Sequence, residues 1–314
     1  MPTLQDLNLS SAHLSNLSVQ VSNEMEGLIS EKVFPTLQVA KDRGNYYTFD
    51  NNMLRIDNSE RGEGSRANRV DYGLTSTSYG PLVEHSLEHW IDDAITDQAA
   101  DGIEPIANAV KFLTQKLHVI KENKLGTFLG ATGNVTNNTT LSGTGQWSDA
   151  TNSTPFDDIQ TGVSSVVQNS GHKPNTLVMG QEVWDQLVNH PDLVERVKYT
   201  YGNLSNKMSI TPDELGGILG MNVLVGSSVY NNADEGASDS LAFNWGKDCL
   251  AMYVSPTPGL MTVSAGYHLQ LGDARKVDTY RDDAHKSTIV RITDKFEQKV
   301  VSQGALYLIN AAVA

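Results

Sequence analysis

The chain of 314 residues carries 37 acidic against 23 basic side chains, a formal net charge of −14, with 39% hydrophobic and 19% charged residues. This is a folded, water-soluble composition, long enough for one large domain or two modest ones, and no run approaches the ~20 apolar residues of a membrane helix. The acidity argues against wrapping nucleic acid through phosphate contacts, and a single cysteine, Cys249, excludes a disulfide framework or thiolate metal cluster.

Residues 1–44 read as an N-terminal arm. Leu14, Leu17, Val21, Met25 and Leu28 have helical spacing, and the segment ends at Phe34-Pro35. The opening residues Met1 to Asp6 lack the basic and apolar regions of a signal peptide, so secretion is not expected. Next comes an extended ribbon at 45–82. Tyr46–Phe49 and Val70–Leu74 read as its strands, with Val70, Tyr72 and Leu74 on one half-buried face. Between them lies a charged, glycine-containing tip, and a lone two-stranded ribbon is marginal in water. Nothing nearby in the sequence offers it a surface, so a neighbouring copy of the chain is expected to do so.

From Glu84 to Leu129 the residues Ile91, Ile95, Ala99, Ile103, Ile106, Val110, Leu113, Leu117 and Ile120 recur every three or four positions, which predicts helix. Pro105 places a break near Asp101-Gly102, followed by a helix of roughly 24 residues and about 36 Å. Residues 130–154 are rich in Asn, Thr, Ser and Gly and read as loop anchored by Trp147. Helices and strands then alternate. Phe156 to Val166 form a helix closed by Gly171, Thr176–Met179 a buried strand, and helices follow at Val183 and Pro191. Thr211-Pro212-Asp213-Glu214 combines a capping box with proline at the first helical position. Val223–Val225 and Leu250–Val254 read as strands, and Cys249 beside the latter as a small buried hydrophobe. Beyond Pro258 the chain is strand-rich. Val290, Ile292 and Phe296 face one way and Arg291, Thr293, Lys295 and Glu297 the other, before an apolar run at Ala305–Val313.

His85-Ser86-Leu87-Glu88-His89 fits H-x-x-E-H, in which two histidines one helical turn apart bind zinc beside a glutamate. No third ligand is identifiable, and polar residues on an exposed turn explain the match more simply. Asp57 to Gly62 fails as a calcium loop because Arg61 occupies a ligand position. The pairs Asp92-Asp93 and Asp282-Asp283 read as solvated charges. No catalytic, metal-ligating or cofactor-binding residue is assigned, and an enzyme has no positive support.

Taken in order, several pieces resemble the major capsid proteins of tailed bacteriophages with the Hong Kong 97-type fold. They are Phe34-Pro35, Gly44-Asn45-Tyr46-Tyr47, the charged loop, Gly145-Gln146-Trp147-Ser148-Asp149, Pro174 to Gly180, His190-Pro191, Ile218-Leu219-Gly220, Trp245-Gly246-Lys247-Asp248 and Pro258 to Met261. The resemblance runs from about Glu31 to the C-terminus. It implies an α+β fold with an N-terminal arm at 1–44 and an extended two-stranded loop at 45–82. It further implies a peripheral domain at 83–154 and 263–301, holding a long spine helix and an antiparallel sheet, and an α/β axial domain at 155–262 and 302–314.

The function so implied is a structural protein of the virion capsid, assembled in the bacterial host cytoplasm. It would self-assemble as pentamers and hexamers into an icosahedral shell enclosing double-stranded DNA without sequence-specific binding. A separate scaffolding protein, a portal and a decoration protein are the partners implied; membrane and cofactor are not. Arg55, Asp57, Glu60, Arg61, Glu63, Arg66, Arg69 and Tyr72 are the expected interface residues of the loop. Some family members cross-link their shells from a loop lysine, but no lysine lies between Lys41 and Lys111 here. A long N-terminal scaffolding segment, present in others, has no room before residue 45. An encapsulin-like nanocompartment shell, or a zinc peptidase using His85, Glu88 and His89, are the alternatives.

Overall fold

The computed structural model describes residues 27–49, 55–70, 74–94, 104–201, 210–272 and 275–314. The helical spacing at Leu14–Leu28 (Leu28 apart), the break at Asp101-Gly102 and Tyr72 lie outside them. Two five-stranded sheets and a projecting ribbon organise the chain, and one long helix joins the two sheets.

The first sheet is built on β13 (Ser287–Val300). One edge of β13 takes β4 (Val83–Asp92) over ten residues, antiparallel. Along its other edge β12 (Lys276–Asp282) is followed by β11 (Gly266–Leu271), and the short β1 (Thr36–Val39) runs parallel beside β11. Val290, Ile292 and Phe296 are buried while Arg291 is exposed, the alternation of a strand wet on one side.

The second sheet has the order β5-β14-β10-β6-β7, from Asn138–Thr140, Leu306–Asn310, Cys249–Met252, Thr176–Gly180 and Asn222–Gly226. The inner strands β6 and β10 are buried at every residue, as continuous apolar runs require. A four-residue helix α1 (Ser30–Val33) opens the described chain, and α2 (Pro105–Gly130) is the long one. Then come α3 (Pro155–Ser170), α4 (Gln181–Asn189), α5 (Pro191–Tyr201) and α6 (Pro212–Leu219). A hairpin of β8 (Val229–Asn231) and β9 (Leu241–Phe243) stands apart.

At about 39 Å for 26 residues, α2 reaches both cores. Val110, Leu113 and Leu117 pack with Ile91, Val277, Val290 and Ile292 of the first sheet. Leu125 and Leu129 pack with Val178, Leu250, Met252, Leu306 and Leu308 of the second. The segment 138–154 belongs physically to the second sheet: β5 pairs parallel with β14, and Trp147 is buried there, its indole N–H donating to Asp158 at 2.8 Å.

Three expectations are corrected. The residues from Glu84 to Asp92 form a strand, because ten ladder positions on β13 outweigh a three-to-four spacing that the flanking isoleucines suggested. Among the described residues the second arm of the ribbon is β3 (Leu74–Tyr79), paired in register with β2 (Gly44–Phe49), so the described ladder begins at Leu74, where the expected arm was to end. Val70 is 68% exposed rather than half-buried. Finally, the base of the ribbon does have a partner within the chain. Tyr46 and Tyr79 pack with Val39, Leu82, Tyr267, Leu269 and Val301.

Candidate assembly interface

The ribbon places its charged tip away from the body. Every described residue from Arg55 to Val70 is exposed, including Ile56 at 97%. Arg55, Asp57, Glu60, Arg61, Glu63, Arg66 and Arg69 are therefore all brought to one protruding loop. Arg55 and Asp57 approach to 3.8 Å, a surface pair of little energetic weight. The loop is shaped by its own polar groups. Ser65 donates its hydroxyl and its backbone N–H to the Gly62 carbonyl at 2.7 and 3.2 Å, around Gly64 at φ +78°. Asn68 donates to the Asn58 carbonyl at 2.5 Å, and Asn58 accepts the Glu60 N–H at 3.0 Å.

The ribbon is fixed at its root. Leu82 donates its N–H to the Asp42 carbonyl and carboxylate, both at 3.2 Å, and Gly80 donates to Glu297 at 3.2 Å. Thr48 and Thr77 touch across the strands at 3.4 Å. A polar cleft of about 640 Å³ lies between Tyr46, Thr48 and Thr77 of the ribbon and Thr136, Asn137 and Gln303 of the body.

Strand geometry dismantles the zinc motif. On β4, His85 and His89 share a face but stand about 13 Å apart along the strand, while Glu88 points to the opposite face. His85 Nε2 accepts from the Lys124 ammonium at 3.2 Å, so a cation already occupies that nitrogen. Burial and Lys124 both hold its pKa below the ordinary value. Glu88 accepts the Tyr280 hydroxyl at 2.9 Å. Among the described residues no cluster of His, Cys, Asp and Glu is arranged to hold a metal, and no helix is long and apolar enough to cross a membrane. Asp93 receives a bidentate pair from Arg281 at 2.6 and 3.0 Å, and the same guanidinium reaches Asp283 at 2.9 Å.

A Ser153–His190 contact at 3.0 Å has the wrong polarity for a nucleophile. His190 Nδ1 accepts the Asp192 N–H, so Nε2 carries the proton, while Ser153 donates to the Asp149 carbonyl at 2.7 Å. Cys249 is wholly buried, and burial pushes its thiol pKa well up.

Sequence reasoning missed a buried polar junction where α1, α2 and the Trp245 loop meet. The Glu122 carboxylate, 0% exposed, accepts the backbone N–H groups of Ile29 and Ser30 at 2.9 and 2.8 Å and the Trp245 indole at 2.5 Å. Lys121 beside it is also buried and pairs with Glu31 at 3.1 Å. Burial opposes ionisation of Glu31, but the ammonium outweighs it and holds the pKa down. The only trace in the sequence was a pair of charged residues interrupting the apolar stripe of α2.

A family model described as phage major capsid protein E matches residues 132–229, which run from the end of α2 through β7 into β8. The major capsid protein of Burkholderia phage BcepMu is 28% identical, with 99% of each chain covered. The chain is similar to phage major capsid proteins over nearly its whole length. Among solved structures, a phage-related protein from Bordetella bronchiseptica RB50 superposes with a TM-score of 0.77 at 26% identity, over 97% of both chains. A capsid structure of the cyanophage P-SCSP1u shares the fold at a TM-score of 0.58 and 11% identity, covering 89% of this chain and 86% of that one. The mixed helix-and-sheet fold is thus one that phage capsid structures share, and the projecting ribbon is the part of it whose described tip residues, 55–70, are all exposed.

Proposed function

We propose that the chain closes into an icosahedral shell of pentamers and hexamers around double-stranded phage DNA, within the host cytoplasm, with the ribbon as the main lever between subunits. The observation that carries this reading is the ribbon itself. Its base is packed and its root hydrogen-bonded, yet sixteen consecutive tip residues, 55–70, are exposed. Unlike patches meeting head to tail generate rings when the rotation closes, and one subunit can then serve five- and six-fold positions. Arg55, Arg61, Arg66 and Arg69, interspersed with Asp57, Glu60 and Glu63, would engage a neighbour, together with Tyr72. The ribbon's outer strand edges add backbone donors and acceptors to such a contact.

In this reading 83–154 with 263–301 is the peripheral domain, its segment 138–154 reaching onto the axial sheet through β5 and Trp147, with 155–262 and 302–314 the axial domain and 1–44 and 45–82 the arm and loop. A scaffolding protein, a portal and a decoration protein complete the particle. With a net charge of −14, shell closure retains the genome far more than adhesion does. Replacing Asn58–Asn68 by a short linker tests the role of the tip. The variant is expected to keep its circular dichroism and thermal transition and to form no closed shells. Normal shells from that variant would refute a lever at the tip.

A further inference from the structure

The hairpin of β8 and β9 carries its apolar side outward. Val229 stands opposite Phe243 and Asn231 opposite Leu241, so these four side chains share one face. Val229 is 46% and Leu241 72% exposed, and Phe243 is half-buried. The other face turns toward the body. It holds Tyr230 and Ala242, both half-buried, and the buried Asn244, which donates to the Ser228 hydroxyl at 3.0 Å. The Ser228 carbonyl accepts the Asn244 N–H at 2.9 Å, which continues the ladder back from Val229. Exposure alternates from Ser227 to Asn231, so Ser227 lies on the outward face with Val229.

Gly27, where the described chain begins, rests on that same serine. A Cβ at Gly27 would stand 2.7 Å from the Ser227 hydroxyl oxygen. Its φ of +83° is the left-handed conformation with which helices very commonly close. In the 26 residues before it, Leu14, Leu17, Val21 and Met25 fall within about 80° of arc at 3.6 residues per turn. From this juxtaposition we infer that residues 14–26 form an amphipathic helix, closed by Gly27, that lies along the outward face of the hairpin in its own chain.

The lengths agree. Val229 lies about 7 Å along the strand from Ser227, and Leu241, beside Asn231, about 13 Å. A helix reaches those distances about four and about nine residues before Gly27. Met25 and Val21 then cover Val229 and Phe243, and Leu17 covers Leu241. The acidic groups of the two partners stay apart, Glu24 and Glu26 beside Gly27 and Asp234, Glu235 and Asp239 toward the hairpin turn. A second copy of the chain is a poorer occupant, because the arm already enters on this face at Ser227.

The test is disulfide formation in the dilute full-length chain, where the native Cys249 is wholly buried. Under mild oxidation L17C/L241C should bridge within one chain, as read by peptide mapping. N16C/L241C should bridge at least about tenfold less, because Asn16 lies about 140° from the centre of the stripe. Hydrogen exchange gives a second readout. The amides of residues 14–26 should be protected in the wild type, and V229S/L241S should speed their exchange at least about tenfold while β6 and β10 keep theirs. Equal bridging in both cysteine pairs, none in either, or an unprotected arm in the wild type would overturn the inference. Bridges found only between two chains would overturn it in favour of a second copy on this face.

Discussion

Glu122 shows how much one side chain can organise. Wholly buried, it ties the start of the described chain, the long helix and Trp245 of the second core to a single carboxylate. Two histidines nearby face the opposite problem. His268 is 0% exposed and donates through Nε2 to the Ser30 carbonyl at 3.2 Å. Burial and the Lys121 ammonium keep its pKa well below the ordinary value. His118 is held down to about 3 by burial and by Arg275, although Glu31 pulls the other way. Both imidazoles titrate lower in the folded than in the unfolded chain, so below about pH 6.5 the unfolded state binds more protons and stability falls with pH. Each contributes about 1.4 kcal/mol per pH unit in that window, and together they contribute about 2.7. Asp158 and Asp248, whose pKa values burial raises, act with the opposite sign and only as pH enters the carboxylate range. Urea denaturation at about pH 7.5, 6 and 5 should show this loss, with roughly half the slope in His268→Gln. A flat profile over that window would contradict the neutral-histidine account.

Elements differ in how openly the sequence announced them. Helix α6 was legible because its capping box is chemically complete: the Glu214 N–H reaches the Thr211 hydroxyl at 3.4 Å, and Glu214 accepts the Thr211 N–H at 2.9 Å. The end of α3 was legible in Gly171, which adopts φ +70°. Strand β4 was not, since Leu87 and Ile91 satisfy a helical spacing and a period of two equally well, and only the long-range ladder to β13 decides. Nor was β3, where serines and threonines leave no apolar alternation to read. The ribbon as a feature was legible, but not the packing of its base, because Tyr267 and Leu269 are nearly two hundred residues away from Tyr79.

The join between ribbon and body gives an element-scale prediction. Gly80 sits at φ +91°, and an added Cβ would lie 2.2 Å from the Asp42 carbonyl oxygen. Gly80→Ala should therefore destabilise the fold by about 1–3 kcal/mol and open the ribbon arms to limited proteolysis. Wild-type melting and digestion would show that this turn does not hold the ribbon.

At the scale of the whole molecule, two cores joined by α2 carry a ribbon whose described tip residues, 55–70, are all exposed. Likeness to phage major capsid proteins and an exposed, shaped tip both support the proposed shell as the working unit. Because surface ion pairs are worth only about 0–1 kcal/mol each, many weak contacts repeated across copies must hold it, and single tip substitutions should be mild. The most direct measurement is electron microscopy of the purified chain, expressed alone and with a scaffolding protein, in nucleic-acid-free buffer. The account predicts closed icosahedral particles with five- and six-fold units in the presence of the scaffold, each ribbon lying against the adjacent subunit. Only monomers or small open oligomers under both conditions would contradict it.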